Sequence, residues 1–388
     1  MRKISVIGIG ETKMGKLADR SLHDLIREAG NNAIADAGID KKQIDALYMG
    51  NFNGSYLCGQ GHMGSLAIEV LELGNIPAVR TEGACASGSL AFRMAVMSIM
   101  AGVYDIALVG GVEKMTHQST PTVTTAIASA MDYDLEAMQG FTFPACFAMI
   151  AHRYFYEYRN VKREMGLCAY NAHQNALLNP DAQMQKDVPL EKILAADMIA
   201  SPLSLYDCSL VTDGAAFVVL AASDVAESLE SKHRAVELVG SGHAGDTLTL
   251  ASKKVITSFS ASKAAAAQAY GQAGLKAADI DFAEVHDCFT ITQIINTEDL
   301  GFFDPGKGAD AVAEGVTARD GKKPINVSGG LKAKGHPIGA TGISQIFEVV
   351  TQIRGNAGNR QLKKADIGLA HNLGGSAGTC VINIFRGR

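Results

Sequence analysis

Four short stretches of the chain carry side chains that can form a covalent bond or move a proton. In TEGACASGSLAFRMAVMSIMAG, residues 81–102, Cys85 stands among Gly, Ala and Ser just before a long apolar run. Residues 86–101 are apolar on nearly every side, which predicts a buried helix rather than an amphipathic one. A thiol at such a helix start meets unpaired N–H groups and the positive end of the helix dipole, and both favour the nucleophilic thiolate. Gly83 and Gly88 permit tight backbone approach. The plain alternative is an inert core cysteine, since free Cys is commonly buried. In NVSGGLKAKGHPIGATG, 326–342, His336 sits between glycine-rich turns, ahead of a second helix at 339–353. An imidazole held there keeps one tautomer and suits a general base. In EVHDCFTI, 284–291, His286, Asp287 and Cys288 fall at a strand end, where buried polar groups have a cost unless used. Asp287 can also serve simply as a cap for the next helix. AHNLGGSAGTCVINIF, 370–385, reads as a Gly-rich bend between strands, able to aim backbone N–H groups at a developing oxyanion. Cys380 in that stretch reads as packing.

These groups need a frame, and the rest of the chain describes one. Its 388 residues suit two or three packed units, and 47% hydrophobic with 19% charged residues is the balance of a soluble protein that can bury large sheets and helices. Short apolar runs alternate with helical patterns, which predicts a mostly parallel sheet in an α/β fold. The second half replays the first. AGIDKKQIDALYMGNF, 37–52, falls in step with AGLKAADIDFAEVHDCF, 273–289, and VYDIALVGG, 103–111, with KADIGLAHNLGG, 364–375. The expected division is 1–115 plus 208–240 as an N-terminal half, 116–207 as an inserted segment, and 241–388 as a C-terminal half. Matching strand ends should then face one another.

Several classes are disfavoured. A net charge of −5 gives no footprint for nucleic acid or an anionic membrane, and no apolar run is long enough to span one. Seven cysteines without a CxxC pair argue against a disulfide framework or a zinc site and for a reducing compartment. The N-terminus lacks a signal-peptide core, so the cytoplasm is expected. GIGET at 8–12 lacks the full dinucleotide fingerprint, and His62, His117, His152, His173, His233 and His243 have no ligand-like spacing.

Taken together and in order, the four stretches resemble the thiolase family over essentially the whole chain. The resemblance implies a five-layered αβαβα fold made from two similar halves, with 116–207 as the loop domain. It implies that Cys85 takes the acyl group from a thioester and that His336 activates the thiol. His336 and His286 would hold the thioester oxygen, and the Gly374 and Cys85 amides would form a second oxyanion hole. Where common thiolases carry Cys-x-Gly, this chain has Asn372-Leu373-Gly374, so the usual second cysteine is missing. His286-Asp287-Cys288-Phe289 resembles instead the branch of sterol-carrier-type and archaeal-type thiolases, which assigns proton transfer to Cys288. The implied reaction is CoA-dependent cleavage of a 3-oxoacyl-CoA, or the reverse Claisen condensation, with coenzyme A as a substrate and no metal or redox cofactor.

The branch implies a homodimer or dimer of dimers, with pairing expected through an edge strand ending near Asp105 to Gly111. It also implies a small OB-fold and zinc-ribbon partner protein. On the same likeness, a bulky or aromatic substrate such as benzoylsuccinyl-CoA is favoured over acetoacetyl-CoA for isoprenoid synthesis. Met131, Met138, Phe141, Phe143, Phe147 and Met149 would line an acyl pocket or, as the favoured alternative, form the core of the inserted segment. Two rivals stand beside this: a condensing enzyme of the 3-oxoacyl-carrier-protein synthase type, and a non-catalytic acyl-CoA- or lipid-binding protein on the same scaffold.

Overall fold

The computed structural model describes residues 2–229 and 235–387; His233 lies outside them. Among the described residues eleven strands run in chain order as β1 Ile4–Glu11, β2 Ala46–Gly50, β3 Ala78–Thr81, β4 Ile106–Glu113, β5 Met198–Ala200, β6 Leu203–Ser204, β7 Gly214–Ala222, β8 Val236–Gly245, β9 Phe282–Glu284, β10 Ile367–Gly374 and β11 Thr379–Gly387. All but β5 and β6, which form a small hairpin, join one sheet in the order β3-β2-β4-β7-β1-β8-β11-β10-β9.

The sequence repeat becomes a repeat in space. Gly38 and Gly274 each end a helix in the left-handed region, at φ 69° and 64°, a conformation glycine adopts without a Cβ penalty. Each is followed by a single 3₁₀ turn, then β2 or β9. The two aspartates of the paired Ile-Asp motifs also match. Asp45 Oδ2 accepts from the amides of Asp105 and Ile106, and Asp281 Oδ2 accepts from those of Asp366 and Ile367, each at 2.9–3.0 Å. Read outward from the β1–β8 junction, β1-β7-β4-β2 corresponds to β8-β11-β10-β9.

The expectation of a mostly parallel sheet is corrected. Only β3–β2, β2–β4 and β9–β10 run parallel, while β4–β7, β7–β1, β1–β8, β8–β11 and β10–β11 are antiparallel. Helical crossovers force parallel pairing, but β10 and β11 are joined by a tight bend, and β1 and β8 meet where the halves join. The expected edge is corrected too: β4, which begins just after Asp105 and includes Gly111, lies between β2 and β7, and the edge strands are β3 in the first half and β9 in the second.

Both faces of the sheet are covered, which is why β4 and β7 are buried along their whole lengths. Helices Leu22–Ala37 and Met63–Leu71 cover the outer face of the first half, and Ser260–Ala273 and Thr290–Asp299 that of the second. Between the halves lie the helix after Cys85, Ser87–Met100, and the helix after His336, Thr341–Ile353, whose Phe92, Ala95, Val96, Ile343, Ile346 and Val350 share one core. The result is five layers, αβαβα. The inserted segment contributes helices Thr120–Ala128, Phe143–Glu157 and Lys162–Leu177. Its Met131 and Phe147 are buried with Phe289, Ile291 and Ile294 of the second half, and Phe141 and Phe143 pack partly against them. Met138 and Met149 are exposed.

Candidate active site

Cys85 sits in a one-turn 3₁₀ segment, Ala84–Ala86, that leads from β3 into its helix. The turn is over-determined. Ala84 is left-handed at φ 50°, a conformation that costs a non-glycine residue roughly 1–3 kcal/mol. Its amide donates to Glu82 Oε1 at 2.6 Å, and Ser87 Oγ donates to its carbonyl at 2.6 Å while accepting from the Gly83 amide at 3.0 Å. The helix then passes so close to the His336 loop that a Cβ on Gly88 would lie 2.7 Å from the Gly339 carbonyl oxygen.

Helix position was expected to favour the thiolate. Burial works against this: it pushes the Cys85 thiol up to about 12, while the Gly375 and Cys85 backbone amides that hydrogen-bond the sulfur pull the other way. Removing bulk water disfavours the charged sulfur, and hydrogen bonds to it favour it.

His336 is locked from three sides. Its backbone amide donates to Thr212 Oγ1 at 2.9 Å, and the following Gly339 amide donates to buried Glu113 Oε2 at 3.0 Å. Its Nδ1 is 2.6 Å from Thr341 Oγ1, whose hydroxyl donates onward to the Pro337 carbonyl. Thr341 therefore accepts from Nδ1–H, which leaves Nε2 with a free lone pair. Burial lowers the imidazole to about 3, so the ring rests neutral.

His286 takes the opposite tautomer. Asn372 Nδ2 lies 3.1 Å from its Nδ1, which must accept, so Nε2 carries the proton. The His286 carbonyl accepts from Asn296 Nδ2 at 2.7 Å, and its amide donates to His371 Nδ1 at 3.3 Å. Burial and the neighbouring His336 hold it well below the usual imidazole range. Ligating atoms of Cys85, His286 and His336 all lie within 4.8 Å of one another, and the two imidazoles meet edge to face at 5.3 Å. The site thus pairs a base with a donor.

Cys288 is buried beside this trio, with its Sγ 3.8 Å from Thr292 Oγ1; burial and then the nearby Cys85 sulfur push its thiol well up. Asp287 does not cap the helix after it. Its Oδ1 accepts from the Leu331 amide at 2.7 Å, and its Oδ2 is 3.4 Å from the Lys332 amide, anchoring the π-helical turn Gly330–Lys334 that leads to His336. Gly374 closes β10 with its Cα hard against the Gly83 carbonyl, where a Cβ would lie 2.2 Å from the oxygen. The next residue, Gly375, left-handed at φ 60°, lines the cavity and donates to the sulfur. Cys380 is buried in β11, as its apolar surroundings imply.

Cys85, Cys288, His336 and Gly375 open onto one cavity of about 190 Å³. Its other walls are chiefly apolar, including Met115, Ile127, Phe143, Leu210, Phe289 and Ile338. Among the described residues, Cys85, His286 and His336 are also the one group of three side chains close enough to share a metal ion. Bonds of about 2.0–2.3 Å to zinc would require those atoms to draw together.

The motifs did not single out Asn372, Thr341, Thr212, Glu113 or Gly375. Asn372 had a signal, since it replaces the cysteine of Cys-x-Gly and so faces the same place. Glu113 and Thr212 had none, because distant segments bring them in.

A family model described as "Thiolase, N-terminal domain" matches residues 4–224, and one described as "Thiolase C-terminal domain-like" matches 242–387. An acetyl-CoA acetyltransferase of Methanothermobacter thermautotrophicus is 45% identical over 385 residues, covering 99% of this chain and all of that protein. The benzoylsuccinyl-CoA thiolase subunit BbsB of Thauera aromatica is 29% identical over 376 residues, covering 96% and 95%. A solved structure titled "Ltp2-ChsH2(DUF35) aldolase" superposes with a TM-score of 0.86 at 25% identity, over 99% of this chain and 98% of that one.

Proposed function

The chain belongs to the thiolase family and is an acyltransferase, and we propose that it cleaves or forms a short 3-oxoacyl-CoA, acetoacetyl-CoA foremost, through an acyl-Cys85 intermediate. The observation that carries this is the convergence of a neutral base and two thiols on one small apolar cavity, with the His286 donor within 4.8 Å of the base and of the Cys85 sulfur. His336 Nε2 takes the Cys85 proton as the sulfur attacks the ketone carbon. The amides of Cys85 and of the Gly374–Gly375 bend receive the oxyanion. When the carbon–carbon bond breaks, the acetyl-CoA enolate takes its proton from Cys288 while its oxygen is held by His286 Nε2–H and protonated His336. The Cys288 thiolate then takes the proton of incoming CoA, CoA attacks the acyl group, and His336 returns its proton to the departing Cys85 sulfur. Every group ends as it began, and coenzyme A is consumed as a substrate with no metal or redox cofactor.

A bulky aromatic substrate was expected on resemblance. The cavity volume supports a shorter one, since a site of about 150 Å³ is filled by one benzene. The 45% identity to a protein named acetyl-CoA acetyltransferase supports it as well. The proposed division of the chain remains 1–115 with 208–240, 116–207 and 241–388. A homodimer through the free edge of β3 and a reducing, cytoplasmic setting belong to the same proposal. So does a small OB-fold and zinc-ribbon partner, since the similar solved chain is titled with a DUF35 protein.

The decisive experiment is CoA-dependent cleavage of acetoacetyl-CoA and benzoylsuccinyl-CoA, with and without such a partner, by wild type and Cys85→Ser. Wild type should cleave acetoacetyl-CoA, and Cys85→Ser should lose at least ~10³-fold in kcat, as other removed nucleophiles do. Full activity in Cys85→Ser would end the acyl-cysteine mechanism, and preference for benzoylsuccinyl-CoA would end the short-acyl assignment.

A further inference from the structure

We propose that the Phe143 ring is the stop that limits the acyl chain this site accepts, an inference that rests on the short-acyl thiolase assignment above. The catalytic groups Cys85, Cys288 and His336, with Gly375, line the same cavity as Phe143. From Cys288 the wall continues through its neighbour Phe289, whose ring stacks on Phe147 at 4.7 Å, and Phe147 in turn stacks on Phe143 at 6.4 Å. Phe289 and Phe143 both line the cavity, while Phe147 is fully buried behind them.

The two lining rings differ in how firmly they are held. Phe289 is buried, directly follows the proton-transfer cysteine and belongs to the core of the second half. Phe143 is half-buried and is the first residue of its helix, which is independently set by the Thr142 hydroxyl, accepting from the Ala145 amide at 3.4 Å, and by Pro144. Its ring can therefore be shortened without removing the helix start. Behind it lies the apolar core of the inserted segment, with Phe147, Met131 and Phe141. Space vacated there would be apolar and dry, fit for extra methylenes rather than for water or a charged group.

The test measures kcat/KM for CoA-dependent cleavage of acetoacetyl-CoA, 3-oxohexanoyl-CoA and 3-oxooctanoyl-CoA by wild type, Phe143→Leu and Phe143→Ala. Iodoacetamide labelling of Cys85 reports whether each site is intact. Wild type should favour the four-carbon substrate. The eight-to-four-carbon ratio should rise roughly tenfold or more in Phe143→Ala, with Phe143→Leu between, the scale on which apolar pockets discriminate single methylenes. An unchanged ratio in variants that label normally, or a wild type that cleaves all three equally, would overturn the proposal. A wild type that cleaves none of them removes the thiolase assignment beneath it, an outcome already visible before any variant is compared.

Discussion

At the scale of single residues, the site runs on neutral partners. Cys85 is pushed up to about 12 and His336 down to about 3, both chiefly by burial, so the thiol keeps its proton at rest and the imidazole lacks one. The sign follows: between those values neither group is charged, and the thiolate fraction grows as pH rises. Alkylation of Cys85 by iodoacetamide should therefore accelerate roughly tenfold per pH unit from about 6 to 9. A rate that is flat over that interval would reveal a resting thiolate–imidazolium pair and refute the neutral one. His286 has a different task, presenting Nε2–H because Asn372 occupies its other nitrogen. His286→Ala should lower kcat by about 10²–10³-fold, the usual loss for one oxyanion donor, with Cys85 still open to alkylation. Loss of labelling in that variant would mean that His286 shapes the site rather than serving the oxyanion.

At the scale of elements, precision comes from close backbone approach between two motifs far apart in sequence. The helix after Cys85 and the loop carrying His336 touch through Gly88 and Gly339, and a Cβ on Gly88 would fall 2.7 Å from a carbonyl oxygen that cannot swing away. Gly88→Ala should cost about 1–3 kcal/mol in urea unfolding, as overpacking does, and should slow turnover by shifting His336 away from Cys85. A variant with unchanged midpoint and kcat would show that the loop yields freely. The Ile-Asp repeat works in the same way at the opposite strand ends, where Asp45 and Asp281 each tie a pair of neighbouring amides. That likeness was legible in the residues. Asp287 was not, because its partners, the Leu331 and Lys332 amides, belong to a turn 44 and 45 residues away.

At the scale of the whole molecule, β3 leaves one flank of the sheet unpaired among the described residues, with Val79 exposed on it and Met94, Met97 and Val103 exposed on or just after the adjoining helix. An open edge invites pairing with a second copy. Val79→Asp should convert a dimer to a monomer in sedimentation velocity, since a charge on an edge strand opposes pairing. A dimer that survives the substitution intact would place the interface elsewhere. Among the described residues no helix is long and apolar enough to cross a membrane. All seven cysteines are free.

The sequence by itself determined which chemistry was possible and where along the chain its groups lie. Apolar runs set the helices after Cys85 and His336, the paired Ala-Gly and Ile-Asp motifs set two like halves, and glycines marked the bends. Those are local properties, written in neighbours a few residues apart. Tertiary structure decided the rest. It made β1, β7, β8 and β11 antiparallel neighbours, moved the free edge from β4 to β3, and brought Gly375 to the sulfur beside Gly374. It also set burial of the Cys85 sulfur against the thiolate that the helix start favours. A helix start can be read from a dozen residues, but desolvation is the sum of what every distant segment packs around the sulfur, and at Cys85 that sum opposes the helix.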